Sequence, residues 1–135
     1  MLMPPISRYM TRQPWTIERD ATLTAAHQLM RTHLIRHLPV MDSGKLVGIV
    51  TERDLHLIET LRDADPDEVK VEDAMTEQVY SVTPGEEVAG VVDKMAELKI
   101  GSVIITEGNR VEGIFTSIDA LQVLSSVLRR TVDVR

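Results

Sequence analysis

Apolar and polar positions follow one another along this chain in two successive rounds of the same pattern. Leu23, Ala26, Met30 and Leu34 recur at three- to four-residue intervals, which predicts a helix over residues 21–33. Leu38-Pro39-Val40-Met41 reads as a short buried strand, Asp42-Ser43-Gly44-Lys45 as a turn, and Leu46-Val47-Gly48-Ile49-Val50 as the next strand. Thr51 opens a second helix that reaches about Leu61. With the extended Pro14-Trp15-Thr16-Ile17 in front, the order is β-α-β-β-α.

The second round repeats it. Residues 78–82 read as extended, and Thr83-Pro84-Gly85-Glu86 predicts a helix start with Thr as N-cap, Pro first and Glu third. Val88, Val92, Met95 and Leu98 give that helix its apolar stripe. Strands over 103–106 and 111–115 flank the turn Glu107-Gly108-Asn109-Arg110, and Ser117 to Leu128 forms the last helix. Leu121, Leu124, Leu128 and Val132 extend a stripe at helical spacing. Such a stripe is more often core, but in so short a chain it also suits part of a homodimer surface. The acidic stretch Arg62-Asp63-Ala64-Asp65-Pro66-Asp67-Glu68 reads as a solvated linker.

The two rounds are copies. Gly48-Ile49-Val50-Thr51-Glu52-Arg53-Asp54 returns 65 residues later as Gly113-Ile114-Phe115-Thr116-Ser117-Ile118-Asp119. Met10-Thr11 returns at the same offset as Met75-Thr76, Met30 as Met95 and Ile35 as Ile100. The organisation expected is a first motif over 6–61, a linker over 62–70 and a second motif over 71–128. A half of about 60 residues buries little surface alone, so the halves are expected to share one core.

Composition narrows the function classes. The chain is 43% hydrophobic with only four aromatics, so its core is aliphatic, with seven Met to fill gaps. A net charge of −6 and scattered Lys and Arg disfavour nucleic acid, which stays a remote alternative. The absence of cysteine excludes disulfides and thiol chemistry. Neither the start, Met1-Leu2-Met3-Pro4-Pro5, nor any apolar run suggests a signal peptide or a membrane span. A cytoplasmic location is expected.

The Thr-x-x-Asp at each helix start has a structural explanation: Thr caps the helix and Asp completes a box at the positive end of the dipole. The same geometry suits a ligand. A carboxylate there accepts from vicinal ribose hydroxyls, as acidic residues do in dinucleotide folds. The Thr hydroxyl reaches the sugar or a phosphate, and free amides attract anions. Gly48 and Gly113 would keep a Cβ out of an approaching ligand's path. Arg12, Arg36, His37 and Arg53 are candidate cations for phosphate. All four stand in the first copy, facing Glu77, Gly101, Ser102 and Ile118 at the matching places in the second, so the two sites are expected to be unequal.

The paired Met-Thr openings, the Leu38–Asp42 strand and the doubled Gly-h-h-Thr-x-x-Asp, from about Ile6 to Leu128, resemble the CBS domain family, named for cystathionine beta-synthase. The resemblance implies an α+β fold of two β-α-β-β-α motifs packed as a pseudo-twofold pair, of a stand-alone type that commonly forms a homodimer. It also implies a regulatory module whose inter-motif clefts bind adenosine-containing ligands: AMP, ADP, ATP or S-adenosylmethionine. One cleft would combine Thr116 and Asp119 with Pro14, Trp15 and Thr16; the other would combine Thr51 and Asp54 with Val79, Tyr80 and Ser81. Arg36 and His37 would lie near both. Ordinary strand-end packing explains Trp15 and Tyr80 equally well.

No catalytic constellation is present. There is no Gly-x-Ser-x-Gly, no Walker lysine and no base positioned by a third group, so the chain is not expected to be an enzyme. His33 and His37 lack the intervening Glu of a zinc motif, and His27 reads as a packing residue. No cofactor is required; an adenine nucleotide would act as a regulatory ligand on some regulated protein partner. The alternative is a dimeric interaction scaffold with unoccupied clefts, its Thr/Asp pairs serving only as helix caps.

Overall fold

The computed structural model describes residues 3–133, the side chains of 62, 132 and 133 apart. Seven strands and four helices alternate along it: β1 (Thr11–Arg12), β2 (Ile17–Glu18), α1 (Leu23–His33), β3 (His37–Asp42), β4 (Lys45–Thr51), α2 (Glu52–Arg62), β5 (Ser81–Val82), α3 (Val88–Leu98), β6 (Ser102–Glu107), β7 (Arg110–Thr116) and α4 (Ser117–Asp133). Two single 3-10 turns, Ile6–Arg8 and Val71–Asp73, precede the Met-Thr pairs. The fold is α+β; the 3-10 turn, the helices and the hairpin of the first copy recur 65 residues later, while β1 is answered by an isolated bridge at Thr76. No helix among the described residues is long and apolar enough to cross a membrane.

The copies do not coincide with the compact units. One unit holds Pro14–Val79, the other Met1–Gln13 with Tyr80–Arg135. Each copy's opening arm therefore completes the unit built by the other copy. In the Pro14–Val79 unit, β2 and β4 flank β3, and Ile49 bridges to Thr76 of the arm with two hydrogen bonds of 2.9 Å. In the other unit the arm is a strand, and the order is β1-β7-β6-β5. β1 pairs antiparallel with β7, placing Thr11 opposite Ile114 and Arg12 opposite Gly113.

The arms also complete the helix starts. In α1, Leu23 N–H donates to Val69 and Thr24 N–H to Pro66, while Ala25 N–H is capped by the Thr22 hydroxyl and Ala26 N–H by the Thr22 carbonyl. The Ala26 bond is the first of the helix itself, and the three orphan donors before it, Leu23, Thr24 and Ala25, all have acceptors. Residues 66–69 thus act as acceptors for α1 rather than as a free linker. In α3, Val88 N–H donates to Pro4 of the other arm. The Thr83 cap expected from the sequence does not form. Pro84 and Glu86 give their carbonyls to Ser7 and Ile6, so residues 83–86 make a turn and α3 starts at Val88 after Glu87.

Nor do the halves share one core. Buried side chains form two clusters, one per unit, each closed by an arm residue with no exposed surface: Val71 in one, Ile6 in the other. The clusters match at the 65-residue offset, Leu23, Ala26 and Met30 answering Val88, Val91 and Met95. The buried stripe of α3 therefore runs through Val91; Val92 and Leu98, expected inside, are exposed. Leu34, expected to continue the α1 stripe, caps that helix in the left-handed region (φ 55°) and is 90% exposed.

Gly48 and Gly113 are where the arms come closest. A Cβ on Gly48 would stand 2.8 Å from both the Met75 Sδ and the Thr76 carbonyl oxygen; on Gly113 it would stand 2.5 Å from the Met10 Sδ and 2.9 Å from the Thr11 oxygen. The methionine ends can swing aside, but the carbonyl oxygens belong to arm backbone beside the sheet and cannot. Gly48→Ala and Gly113→Ala should each cost about 1–3 kcal/mol, the usual range for overpacking. Adding Met75→Ala to the first, or Met10→Ala to the second, should not restore stability. Urea unfolding of the four variants checks this, and wild-type midpoints for the glycine variants would contradict it.

Candidate functional site

Both Thr-x-x-Asp pairs are closed capping boxes at the junction of a strand and a helix. Asp54 Oδ2 accepts from Thr51 N–H at 2.9 Å, and Thr51 Oγ1 accepts from Asp54 N–H at 3.1 Å. Asp119 Oδ2 accepts from Thr116 N–H at 2.9 Å and from the Thr116 hydroxyl at 3.2 Å, and Asp119 N–H reaches Thr116 Oγ1 at 3.4 Å. Each carboxylate spends one oxygen on its cap. Its second oxygen makes no hydrogen bond to the described residues, and both Asp are only half-buried. The cap reading is therefore right for both pairs, and it leaves one acceptor per box for a ligand.

The expected site residues divide between the units. The Pro14–Val79 unit collects Pro14, Trp15, Thr16, Arg36, His37, Gly48, Thr51, Arg53 and Asp54. The other collects Arg12, Tyr80, Gly113, Thr116 and Asp119. Arg12 belongs to the first copy in sequence, but arm exchange sets it on β1 opposite Gly113, three residues from Thr116. The four candidate cations therefore do not all gather in one unit. Gly48 and Gly113 also admit the arms that pack beside them, a need for glycine that no local pattern in the sequence showed.

Arg36 and His37 also part company. The Arg36 carbonyl holds the first amide of α2, accepting from Glu52 N–H at 3.0 Å. Arg36 lines a cavity of about 310 Å³ with His27, Arg31, Glu52 and His56, floored by Met30. His37 is no part of this lining; it opens β3 opposite Thr51. Burial, and then the Arg36 charge, hold its imidazole below the usual histidine range, against the pull of Asp54. At neutral pH it is a hydrogen-bonding ring rather than a cation for phosphate. Arg36 and Arg53, both exposed, are the candidate cations left in this unit.

Trp15 is 53% exposed and stacks on His33 with ring centroids 3.8 Å apart and planes 15° off parallel. Their spacing in sequence gives no sign of this contact. Tyr80 packs partly buried against the core of its own unit, and its carbonyl accepts from Ile104 N–H at 3.0 Å. Burial, then nearby Glu86, push its phenol up. His27 Nε2 lies 2.6 Å from Glu59 Oε1 and its ring stacks on His56. Among the described residues no group of three or more acidic or histidine side chains is placed to hold a metal ion.

The His37 shift has a consequence for stability. Between its lowered folded value and the ordinary 6.5, the unfolded chain binds more protons than the folded one, so stability rises with pH across that window. This contribution is complete above 6.5 and is lost as the pH falls toward the folded value. Urea unfolding of wild type and His37→Gln at pH 7.5 and 5.5 checks it. The variant should lose less stability on acidification, and equal losses would remove His37 as the cause.

Comparison with known proteins fits this geometry. The family model described as CBS domain matches residues 6–57 and again 71–126. The CBS domain-containing protein YhcV of Bacillus subtilis is 29% identical over 83% of this chain and 79% of its own length. The chain spans only 37% of protein MJ1232 of Methanocaldococcus jannaschii, to which it is 28% identical, and 23% of a Methanococcoides burtonii homoserine O-acetyltransferase. Among solved structures, the AcuB protein of Vibrio cholerae superposes with a TM-score of 0.86 at 32% identity over 98% of both chains. The CBS domain pair of protein MJ0100, solved with 5-methylthioadenosine and S-adenosyl-L-methionine, superposes with a TM-score of 0.84 at 28% identity, over 93% of this chain and 98% of that one. The 65-residue repeat, the two arm-completed units and the twice-matched family model together show that this chain belongs to the CBS domain family.

Proposed function

We propose that the chain is a non-catalytic regulatory module that senses an adenosine-containing ligand, and that it works as a homodimer. The observation that carries this reading is the spare carboxylate oxygen in each capping box, at Asp54 and at Asp119. It is a fixed acceptor suited to vicinal ribose hydroxyls, on a helix start whose dipole also favours anions. The complex of the MJ0100 pair with two adenosyl compounds supports the same class of ligand.

The surroundings suit different ligand parts. Arg36 and Arg53 supply charge beside the Thr51–Asp54 box, with neutral His37 available for hydrogen bonding; the face of Trp15 away from His33 is a surface for a base. Arg12 supplies charge near the Thr116–Asp119 box. AMP, ADP and ATP would draw on the arginines; S-adenosylmethionine, carrying no phosphate, would not. Ligand binding acts on a regulated partner by favouring one arrangement of the chain over another, and only a difference in affinity between arrangements moves that population.

Titration calorimetry with AMP, ATP and S-adenosylmethionine tests the reading. Saturable heat is expected for at least one, with a change in the fluorescence of Trp15, the single tryptophan. Asp54→Asn and Asp119→Asn retain a cap acceptor and should keep stability within about 1 kcal/mol of wild type. At least one of them should weaken binding on the order of tenfold. No heat and no thermal shift with any of the three would sink the reading. The scaffold alternative, favoured by the completeness of both boxes without a ligand, would then stand.

A further inference from the structure

The cavity between α1 and α2 lies within the Pro14–Val79 unit, and neither Thr51 nor Asp54 of the capping box lines it. Met30 and Ile35 form its apolar floor, and the exposed Leu34 one apolar edge. His27, Arg31, Arg36, Glu52 and His56 make up a polar rim. At the 65-residue offset the second copy keeps the floor, as Met95 and Ile100, and not the rim. His27, Arg31, Arg36 and His56 are answered there by Val92, Ala96, Gly101 and Leu121, and Glu52 by Ser117. Leu121 is exposed with Leu124 and Leu128 on α4; the side chain of Val132, expected on the same stripe, lies outside the described residues. Only the first copy sets charge and imidazole over the shared floor.

The two arginines of the rim are unengaged. The chain has 21 acidic residues against 15 basic ones, and Arg19 is held by Glu72 and Asp42 and Arg110 by Glu112. Among the described residues the side chains of Arg31 and Arg36 make neither an ion pair nor a hydrogen bond, even with Glu52 on the same rim. Two guanidinium groups at one concavity raise the local potential and attract an anion. Glu59 holds the His27 ring at 2.6 Å, and that ring stacks on His56 with centroids 5.5 Å apart, so imidazoles from both helices stand beside the arginines.

We propose that this cavity is a second binding site, separate from the Thr51–Asp54 box, and that it takes a small phosphate monoester. A planar guanidinium meets phosphate oxygens in pairs, and a monoester has three terminal oxygens for two such forks. An imidazole N–H adds a donor. Glu52 offsets one of the two arginine charges, which suits a single phosphate group better than a polyphosphate chain. The same carboxylate accepts from a hydroxyl on the ligand, and Met30, Leu34 and Ile35 give its carbon body an apolar contact that inorganic phosphate cannot use. The volume, about 310 Å³, stands at the small end of ligand pockets, about 300–1,000 Å³, and favours a small metabolite. Arg36 adjoins the box as well, so Arg31 and His56 are the residues that tell the two sites apart.

Amide chemical shifts of the full chain, followed at constant ionic strength, test the site with glycerol 3-phosphate, inorganic phosphate and S-adenosylmethionine. Glycerol 3-phosphate should give saturable shifts around Arg31 and His56 and bind more tightly than inorganic phosphate. Arg31→Gln should weaken it about ten- to a hundredfold, the factor carried by a hydrogen bond to a charged group, and His56→Ala by a few-fold. Both side chains are exposed, so both variants should fold as wild type does. Neither should change the response to S-adenosylmethionine, and Asp54→Asn should leave the affinity for glycerol 3-phosphate unchanged. Saturation by glycerol 3-phosphate with no response to any adenosyl compound would support this site while removing the adenosyl reading. Inorganic phosphate binding as tightly as the ester would overturn the assignment to an ester. Shifts that gather on Thr51 and Asp54, lost in Asp54→Asn and kept in Arg31→Gln, would give the anion to the box and overturn the separate site. The absence of any saturable shift would remove it altogether.

Discussion

Each unit depends on the contact of a short arm with the bare face of a glycine. Gly48 lets the carbonyl of Thr76 come within hydrogen-bonding range of β4, and Gly113 does the same for Thr11 and β7. From that contact the arm reaches three places at once. It extends the sheet, it drops Ile6 or Val71 into the core, and it offers carbonyls to the first turn of α3 or α1. A side chain at either glycine would hold the arm off all three. The arms come from opposite copies, so neither copy can finish its own unit.

On the proposed reading the capping boxes serve two purposes. A carboxylate fixed by a backbone N–H is already oriented, so a ligand that borrows its second oxygen spends no entropy ordering it. The box that starts α2 or α4 is thus also a preorganised acceptor at the end of a strand. Around it the copies have diverged. The first-copy unit holds Arg36, Arg53, His37 and a stacked tryptophan; in the other unit, Gly101, Ser102 and Ile118 occupy the places of Arg36, His37 and Arg53. Arg12, delivered by its arm, sets a cation on β1 opposite Gly113.

The divergence spares the core. Leu23, Ala26 and Met30 keep aliphatic counterparts because a packed interior tolerates little else. The outward positions of α2 and α4 carry no such constraint, and there Arg53, His56 and Glu59 of the first copy correspond in sequence to Ile118, Leu121 and Leu124 of the second.

The sequence by itself determined the repeat, the β-α-β-β-α order of each copy apart from the arm strand β1, both hairpins and both capping boxes, because each is encoded within a few neighbouring residues. Helical spacing found Leu23, Ala26 and Met30, and Thr51–Asp54 announced its own helix start. What it could not decide was which side of a helix is covered and which residue supplies a distant acceptor. Val92 and Val91 are equally apolar, and only the packed sheet selects Val91. Thr83-Pro84-Gly85-Glu86 has the residues of a helix start, yet the carbonyls of Pro84 and Glu86 are taken by an arm some 78 residues earlier in the chain. The arm that packs on Gly48 comes from Met75 and Thr76, which no local pattern reveals. Local rules fix local structure; arm exchange, burial and the charge state of His37 depend on groups far apart in sequence, and only the tertiary structure brings those together.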